Sequence, residues 1–153
     1  MPRPSARIGI HVSPPPRDDP AAALNQVLSE VIDAILDVRQ ALRRVPETQA
    51  LHAELDHLFT DLRAWARLLA DQDQALGVSP LASMSSAAGR TPPSSWHGAA
   101  SGEEVRRIVS GHLERLGQYL SAARAEQQDD QVRAALTEVE RGVLAHSRAL
   151  SDL

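Results

Sequence analysis

Histidines and carboxylates are the side chains of this sequence that could carry chemistry. The 153 residues include six histidines and 20 acidic residues, all 16 basic residues are arginine, and cysteine and lysine are both missing. Thiol nucleophiles, disulfides, Schiff-base chemistry and cysteine-ligated zinc or iron–sulfur sites are therefore excluded. Any metal site must use oxygen and imidazole ligands.

One spacing of these residues is typical of helical bundles that bind metals. Glu54 and His57 stand three residues apart, so on a helix the carboxylate and the imidazole would lie one turn apart on one face. A complete dinuclear site would need a second such pair near the C-terminus, and the sequence has none. The apolar pattern set by Leu55 and Leu58 directs His57 toward solvent, which favours a polar surface residue instead.

Two further histidines occupy positions where apolar residues are expected. His112 and His146 both fall on apolar repeats and are at similar distances from a turn near Gln128, so antiparallel helices would place them at similar height. We expect a possible buried pair facing each other in the core, or two core histidines each bonded to a neighbour. The alternative is a metal or proton-coupled site with Asp61 or Glu54.

Four amphipathic helices are predicted to position these side chains. Their apolar residues, spaced alternately by three and four, are Leu24, Leu28, Val31, Ile35, Val38 and Leu42; Leu51, Leu55, Leu58, Leu62, Trp65 and Leu69; Val105, Val109, His112, Leu116, Tyr119 and Ala123; and Val132, Leu136, Val139, Val143, His146 and Leu150. Each set forms a narrow seam, as in a helical bundle.

Residues between the seams indicate where these helices begin and end. In chain order the signals are Asp19 with Pro20, Pro46, Gly77, the capping box of Ser101 and Glu104, and Asp129 with Asp130. Residues 78–100 have no sustained periodicity, which predicts a long crossover between the second and third helices. One long and two short connections predict an all-α, ferritin-like four-helix bundle over residues 20–153, running up, down, down, up.

Residues 1–19 are rich in proline and are predicted to form a disordered tail. Arg3, Arg7 and Arg17 of this tail could contact DNA phosphates, or the tail could be a solubilising leader. The formal net charge of -4 predicts that any DNA binding is weak and depends on salt.

Four short stretches occur in an order and spacing similar to those of a known family. They are Leu24-Asn25, residues 51–59 (LHAELDHLF), residues 70–77 (ADQDQALG) and Ser79-Pro80-Leu81. Together they resemble the Dps family, the DNA-binding proteins from starved cells within the ferritin-like superfamily. The resemblance implies a homo-oligomeric shell, a dodecamer, that oxidises and stores iron, protects against starvation and oxidative stress, and associates with the nucleoid.

The resemblance also implies which residues would bind iron. In the Dps family peroxide or oxygen oxidises Fe(II) at sites between two subunits, where the iron ligands are histidines of the first two helices and an Asp and a Glu of the second. His52 and Asp71 match two of these ligand positions. The other two fall on Leu42 and Arg67, which cannot ligate a cation, so the resemblance implies a ferroxidase site that is weakened or lost.

Two hypotheses about function follow. The first is a Dps-like shell protein for iron handling, and the second is a non-catalytic helical bundle with a structural or interaction role. No apolar run approaches the roughly 18 residues of a membrane span and the N-terminus does not resemble a signal peptide, so a cytoplasmic location without membrane partners is expected.

Overall fold

Four helices make up the described part of the molecule. The computed structural model describes residues 20–77 and 101–153, where the helices are α1 (Pro20–Leu42), α2 (Ala50–Ala75), α3 (Gly102–Glu126) and α4 (Asp130–Ser151). The predicted all-α bundle is confirmed. None of these four helices is long and apolar enough to cross a membrane.

Local residue chemistry fixes several helix ends where the sequence predicts them. Gly77 adopts a φ of 78°, a left-handed conformation that favours glycine after a helix C-terminus. The Ser101 hydroxyl accepts the Glu104 backbone N–H at 3.2 Å, and the Glu104 carboxylate accepts the Ser101 N–H at 3.4 Å. The Asp129 carboxylate accepts two backbone N–H groups in the first turn of α4.

Each helix packs against two neighbours, and the neighbouring pairs are antiparallel. α1 and α4 each pack against both α2 and α3. Asp37 of α1 contacts His112 of α3, whereas Glu30, earlier in α1, lies 4.0 Å from Arg115, later in α3. We call α1 and α2 the first hairpin, and α3 and α4 the second hairpin.

The described residues on either side of segment 78–100 lie at opposite ends of the bundle. Gly102 begins α3 beside the start of α2, since a Cβ added to it would lie 3.7 Å from Leu51 Cδ2. α2 has 26 residues, so Gly77 is about 39 Å from that end. The helices therefore run up, down, down, up, as predicted for a ferritin-like fold with a long crossover.

Leucine and valine side chains from all four helices form one core. The predicted seams of α2 and α4 are buried along their whole length. α1 buries a broader stripe than predicted, because Val27, Ala34 and Ala41 are buried while Ile35 and Leu42 are only partly buried.

The predicted seam of α3 was wrong by one residue at two positions. Leu113 and Leu120 are buried, whereas His112 lies at the margin of the core and Tyr119 is exposed. Both phases use only steps of three and four residues. The observed phase buries two leucines instead of a histidine and a tyrosine, and burial of aliphatic side chains is the more favourable outcome.

Candidate metal centre

A row of polar side chains on α2 faces α4. Glu54, His57 and Asp61 are spaced by three and four residues, which places them in line on one helix face. His146 of α4 lies opposite this row, at a position of the apolar repeat that is buried as predicted. We call these four residues the α2/α4 centre.

His146 is held between two carboxylates of α2. Its Nδ1 lies 2.6 Å from Glu54 Oε1, and its Nε2 lies 2.7 Å from Asp61 Oδ2. His57 completes the cluster, with Nε2 3.6 Å from Asp61 Oδ2 and its ring centroid 5.0 Å from that of His146. The centre therefore combines two carboxylates with two imidazoles.

The α2/α4 centre extends from the core to the surface. The side chain of His146 is 6% exposed and that of Glu54 is 18% exposed, whereas Asp61 is 36% and His57 is 67% exposed. An ion in solvent would meet His57 first and could then reach the buried pair. The arrangement is thus accessible from one side and fixed by packing on the other.

The hydrogen bonds of His146 specify where protons must be. An ionised carboxylate only accepts hydrogen bonds, and a neutral imidazole has one donor and one acceptor nitrogen. Two bonded carboxylates therefore require either a doubly protonated ring between two ionised carboxylates or a neutral ring beside one protonated carboxyl group. In either state one proton is held that a bound cation could replace.

Three of the four side chains are placed so that they could hold one metal ion. Glu54, His57 and His146 each offer a ligand atom, and these atoms all lie within 4.8 Å of one another. Among the described residues this is the one group of three or more metal-ligating side chains with that geometry. Two histidines and one carboxylate are a donor set used for Fe(II) with open coordination positions.

Trp65 forms one wall of the α2/α4 centre. Its ring is 5.9 Å from the ring of His146 in an edge-to-face arrangement, and the residue is only 7% exposed. The indole fits because Gly142 of α4 has no side chain, since an added Cβ would lie 2.2 Å from Trp65 Cζ2. This wall limits the freedom of the imidazole to move.

A second carboxylate–imidazole contact joins α1 to α3. His112 Nδ1 contacts Asp37 Oδ2, and the two side chains are 14% and 7% exposed. We call these two residues the α1/α3 pair. It contains a single acid and a single imidazole, so it lacks the third ligand that the α2/α4 centre offers.

The structure does not bring the two predicted core histidines together. Among the described residues, His112 and His146 make no hydrogen bond or ring contact with each other, since His112 is directed to α1 and His146 to α2. The alternative contact of a histidine with Glu54 and Asp61 is present at His146. His57 is exposed, as expected, but still adjoins the centre.

The two α2 ligand positions implied by the Dps resemblance, His52 and Asp71, lie near opposite ends of that helix. His52 is partly buried and Asp71 is exposed, and 19 residues of α2 separate them by roughly 28 Å. One chain cannot bring these two residues to one ion, so they remain predictions that require a second subunit. Leu42 is partly buried and Arg67 is exposed.

Several predicted features lie outside the described residues. They are Asp19, the tail arginines Arg3, Arg7 and Arg17, and the residues of the 78–100 segment.

Besides Asp37 of the α1/α3 pair, sequence reasoning missed a second buried acid, Asp73 of α2. It has no exposed surface, and its carboxylate has no hydrogen-bond partner in the described part of the chain. Burial raises the pKa of this carboxyl from 3.8 to about 6. Its spacing of four from Leu69 continues the buried stripe of α2, which was the signal available in the sequence.

Comparison with known proteins supports the fold but gives no closer relative. No known protein family matches the sequence, and no curated protein matches it. Among solved structures, the chain is similar to a two-domain protein from Anabaena variabilis with DJ-1/ThiJ/PfpI-like and ferritin-like domains. The TM-score is 0.69 at 13% identity, over 88% of this chain and 35% of that protein, so this chain spans about a third of that length. The described residues therefore form a ferritin-like four-helix bundle.

Proposed function

We propose that this protein binds a divalent transition metal at Glu54, His57 and His146, with iron as the expected ion. The observation that carries the proposal is the closeness of three ligand atoms, within 4.8 Å, on two packed helices. Carboxylate and imidazole ligands suit Fe(II) and leave positions open for an oxidant. Bound iron would supply one-electron redox chemistry, and the protein would hold the ion and control access to it.

The electrostatics of the α2/α4 centre favour a cation. Glu54 and Asp61 bring two carboxylates to the same imidazole, and no arginine pairs with either of them in residues 20–77 and 101–153. This differs from the implied ferroxidase position on the same helix, where Arg67 brings a fixed positive charge. We therefore propose the centre within one chain as the place of metal binding.

A Dps-like role is the more specific form of this proposal. It comprises a dodecameric shell that stores iron, protects against starvation and oxidative stress, and binds DNA weakly through the tail arginines. The order of the sequence motifs and the ferritin-like fold support it. Leu42 and Arg67 argue that oxidation between subunits at His52 and Asp71 is weak or lost, so iron handling without strong ferroxidase activity is the expected outcome.

A structural role without metal is the second candidate, and one observation favours it. Both ring nitrogens of His146 already face carboxylates, at 2.6 and 2.7 Å. Such a network satisfies its own polar groups and could join the two hairpins with no ion present.

Metal content and assembly together test these candidates. The full chain, freed of metal by a chelator, would be dialysed anaerobically against Fe(II), and bound iron would be measured by mass spectrometry. A His146→Gln variant removes a ligand, and His112→Gln is its matched control because it alters the other inter-hairpin histidine. The proposal predicts iron in the unaltered protein and in the control, and little or none in His146→Gln.

Two further measurements separate the outcomes. Light scattering gives the mass in solution, and absorbance follows oxidation of Fe(II) by peroxide. A large assembly with bound iron supports the Dps-like role, and a monomer or dimer with bound iron supports the metal site alone. Absence of iron from the unaltered protein contradicts the proposal and leaves the structural role.

A further inference from the structure

We infer that the α2/α4 centre takes one divalent ion per chain, and that Asp61 is the positioning residue for this ion through the Nε2 of His146. The inference rests on the proposed function, since it specifies how the same centre binds its metal. It assigns Asp61 a role beside the metal ligands rather than among them.

The surroundings of His146 leave ligands for one ion. A second ion would need another carboxylate one turn before His146, and that position is Val143, which is 1% exposed and belongs to the aliphatic core. An apolar side chain offers no ligand atom. Among the described residues, Glu54, His57 and His146 are the donors whose ligand atoms are all close to one another, which suits a mononuclear site.

One chain is sufficient to supply all three ligands. Glu54 and His57 belong to α2, His146 belongs to α4, and these helices pack directly against each other. No ligand has to come from another subunit. The stoichiometry is thus expected to be independent of assembly, unlike that of a site shared between subunits.

Asp61 contacts His146 on the side of the ring opposite to Glu54. Its Oδ2 lies 2.7 Å from Nε2, while Glu54 Oε1 lies 2.6 Å from Nδ1. Asp61 is not one of the three residues whose ligand atoms all lie within 4.8 Å. A carboxylate that accepts the N–H of one ring nitrogen fixes the tautomer and leaves the other nitrogen as the ligand.

The rigidity of α2 makes this orientation specific. Glu54 and Asp61 are seven residues apart, so about 10 Å of continuous helix holds the two carboxylates on either side of the ring. Trp65, one helical turn after Asp61, makes an edge-to-face contact with the His146 ring. The imidazole therefore presents Nδ1 toward Glu54, where the ion would be shared.

Cobalt(II) titration of the metal-free full chain tests both parts of the inference. Calorimetry and visible absorption at one fixed pH give the number of bound ions and the affinity. Asp61→Ala should bind Co(II) about 10 to 100-fold more weakly, because loss of an outer carboxylate has this effect at other sites. Asp61→Asn should lose less, since its amide oxygen still accepts the Nε2–H. Asp56→Asn, an exposed acid on the same helix, is the charge-matched control and should bind like the unaltered protein.

A spectroscopic measurement separates positioning from general stability. Long-range ¹H–¹⁵N spectra of the Zn(II)-loaded protein should show the His146 proton on Nε2, and this signature should be lost in Asp61→Ala while the helical circular dichroism stays unchanged. If Asp61→Ala does not fold, the test rests on Asp61→Asn, which should keep the proton on Nε2 but bind Co(II) more weakly than the unaltered protein.

The possible failures are distinguishable. If the unaltered protein binds no Co(II), the proposed function itself is overturned. If the unaltered protein binds Co(II), and Asp61→Ala and Asp61→Asn both bind it with the same affinity as the unaltered protein, the positioning role is wrong. Two ions per chain, or one ion per two chains, would overturn the single-ion site while leaving metal binding intact.

Discussion

Two groups of carboxylate–imidazole contacts join the hairpins, and they differ in how far each is open to solvent. In both, acids of the first hairpin contact one histidine of the second, His112 or His146. The α1/α3 pair has one acid and one base, both largely buried, with side-chain exposures of 7% and 14%. The α2/α4 centre has two acids and two imidazoles, and its outermost member, His57, is 67% exposed.

This difference distinguishes a contact expected to stabilise the fold from the proposed metal site. A buried pair is largely isolated from water, so removal of one partner takes away a contact that water cannot readily replace. An open cluster loses less when one partner is removed, because its carboxylates can be hydrated, and its ligand atoms can be reached from solvent. We therefore expect the α1/α3 pair to contribute more to stability, and the α2/α4 centre to contribute more to metal binding.

The largest expected effect is loss of stability at the α1/α3 pair. His112→Leu removes the imidazole from buried Asp37 and should lower the free energy of unfolding by about 3–4 kcal/mol, near the low end for a broken buried pair. Urea unfolding of this variant and of His146→Leu gives the comparison. Equal losses in the two variants would contradict the distinction between the buried pair and the open centre.

Asp73 is a buried acid without a hydrogen-bond partner among the described residues, so its effect on stability should depend on pH. Its pKa is raised from 3.8 to about 6, so the folded state binds the proton more tightly than the unfolded state. This contribution is favourable below pH 3.8 and is lost as the pH rises to about 6 and above. Relative to the unaltered protein, Asp73→Asn should therefore gain up to about 3 kcal/mol between pH 3.5 and pH 7.5. A difference that does not change with pH would show that Asp73 is not desolvated.

Trp65 packs against Gly142 beside the α2/α4 centre, and Gly142→Ala should disturb this packing. The added methyl would overlap the indole, so we expect a loss of about 1–3 kcal/mol in unfolding free energy and weaker Co(II) binding. Gly111→Ala on α3 is the control, since no atom lies within 4 Å of its added Cβ. That variant should be stabilised by about 0.5–1 kcal/mol. Metal binding unchanged in Gly142→Ala would show that the wall does not hold His146 in place.

The smallest expected effect on stability comes from His146→Leu. Glu54 and Asp61 are 18% and 36% exposed and can be hydrated, so we expect a loss of about 1 kcal/mol. The same variant should lose metal binding altogether. Retention of full Co(II) affinity would remove His146 from the ligand set.

The sequence predicted the fold well because helix periodicity and capping are local properties. The seams of α2 and α4, the Ser101 box and the Asp129 cap could all be predicted without tertiary information. The phase of α3 could not, because seams through His112 or Leu113 both use steps of three and four residues and only burial in the assembled bundle separates them.

The candidate site was predicted only in pieces. The spacing of Glu54 and His57 and the position of His146 in an apolar repeat were visible in the sequence. Which acids face His146 depends on α4 packing against α2, and that follows from the path of the chain between the hairpins. The contact of Asp37 with His112 depends in the same way on α1 packing against α3.

The up, down, down, up order also determines the field at the ends of the bundle. Each helix carries about half a positive charge at its N-terminus and half a negative charge at its C-terminus. Because all four neighbouring pairs are antiparallel, each end of the bundle has two N-termini and two C-termini, and their dipoles largely cancel. The four described helices therefore make neither end an anion or cation trap, and the attraction of ions to this part of the chain depends on its side chains.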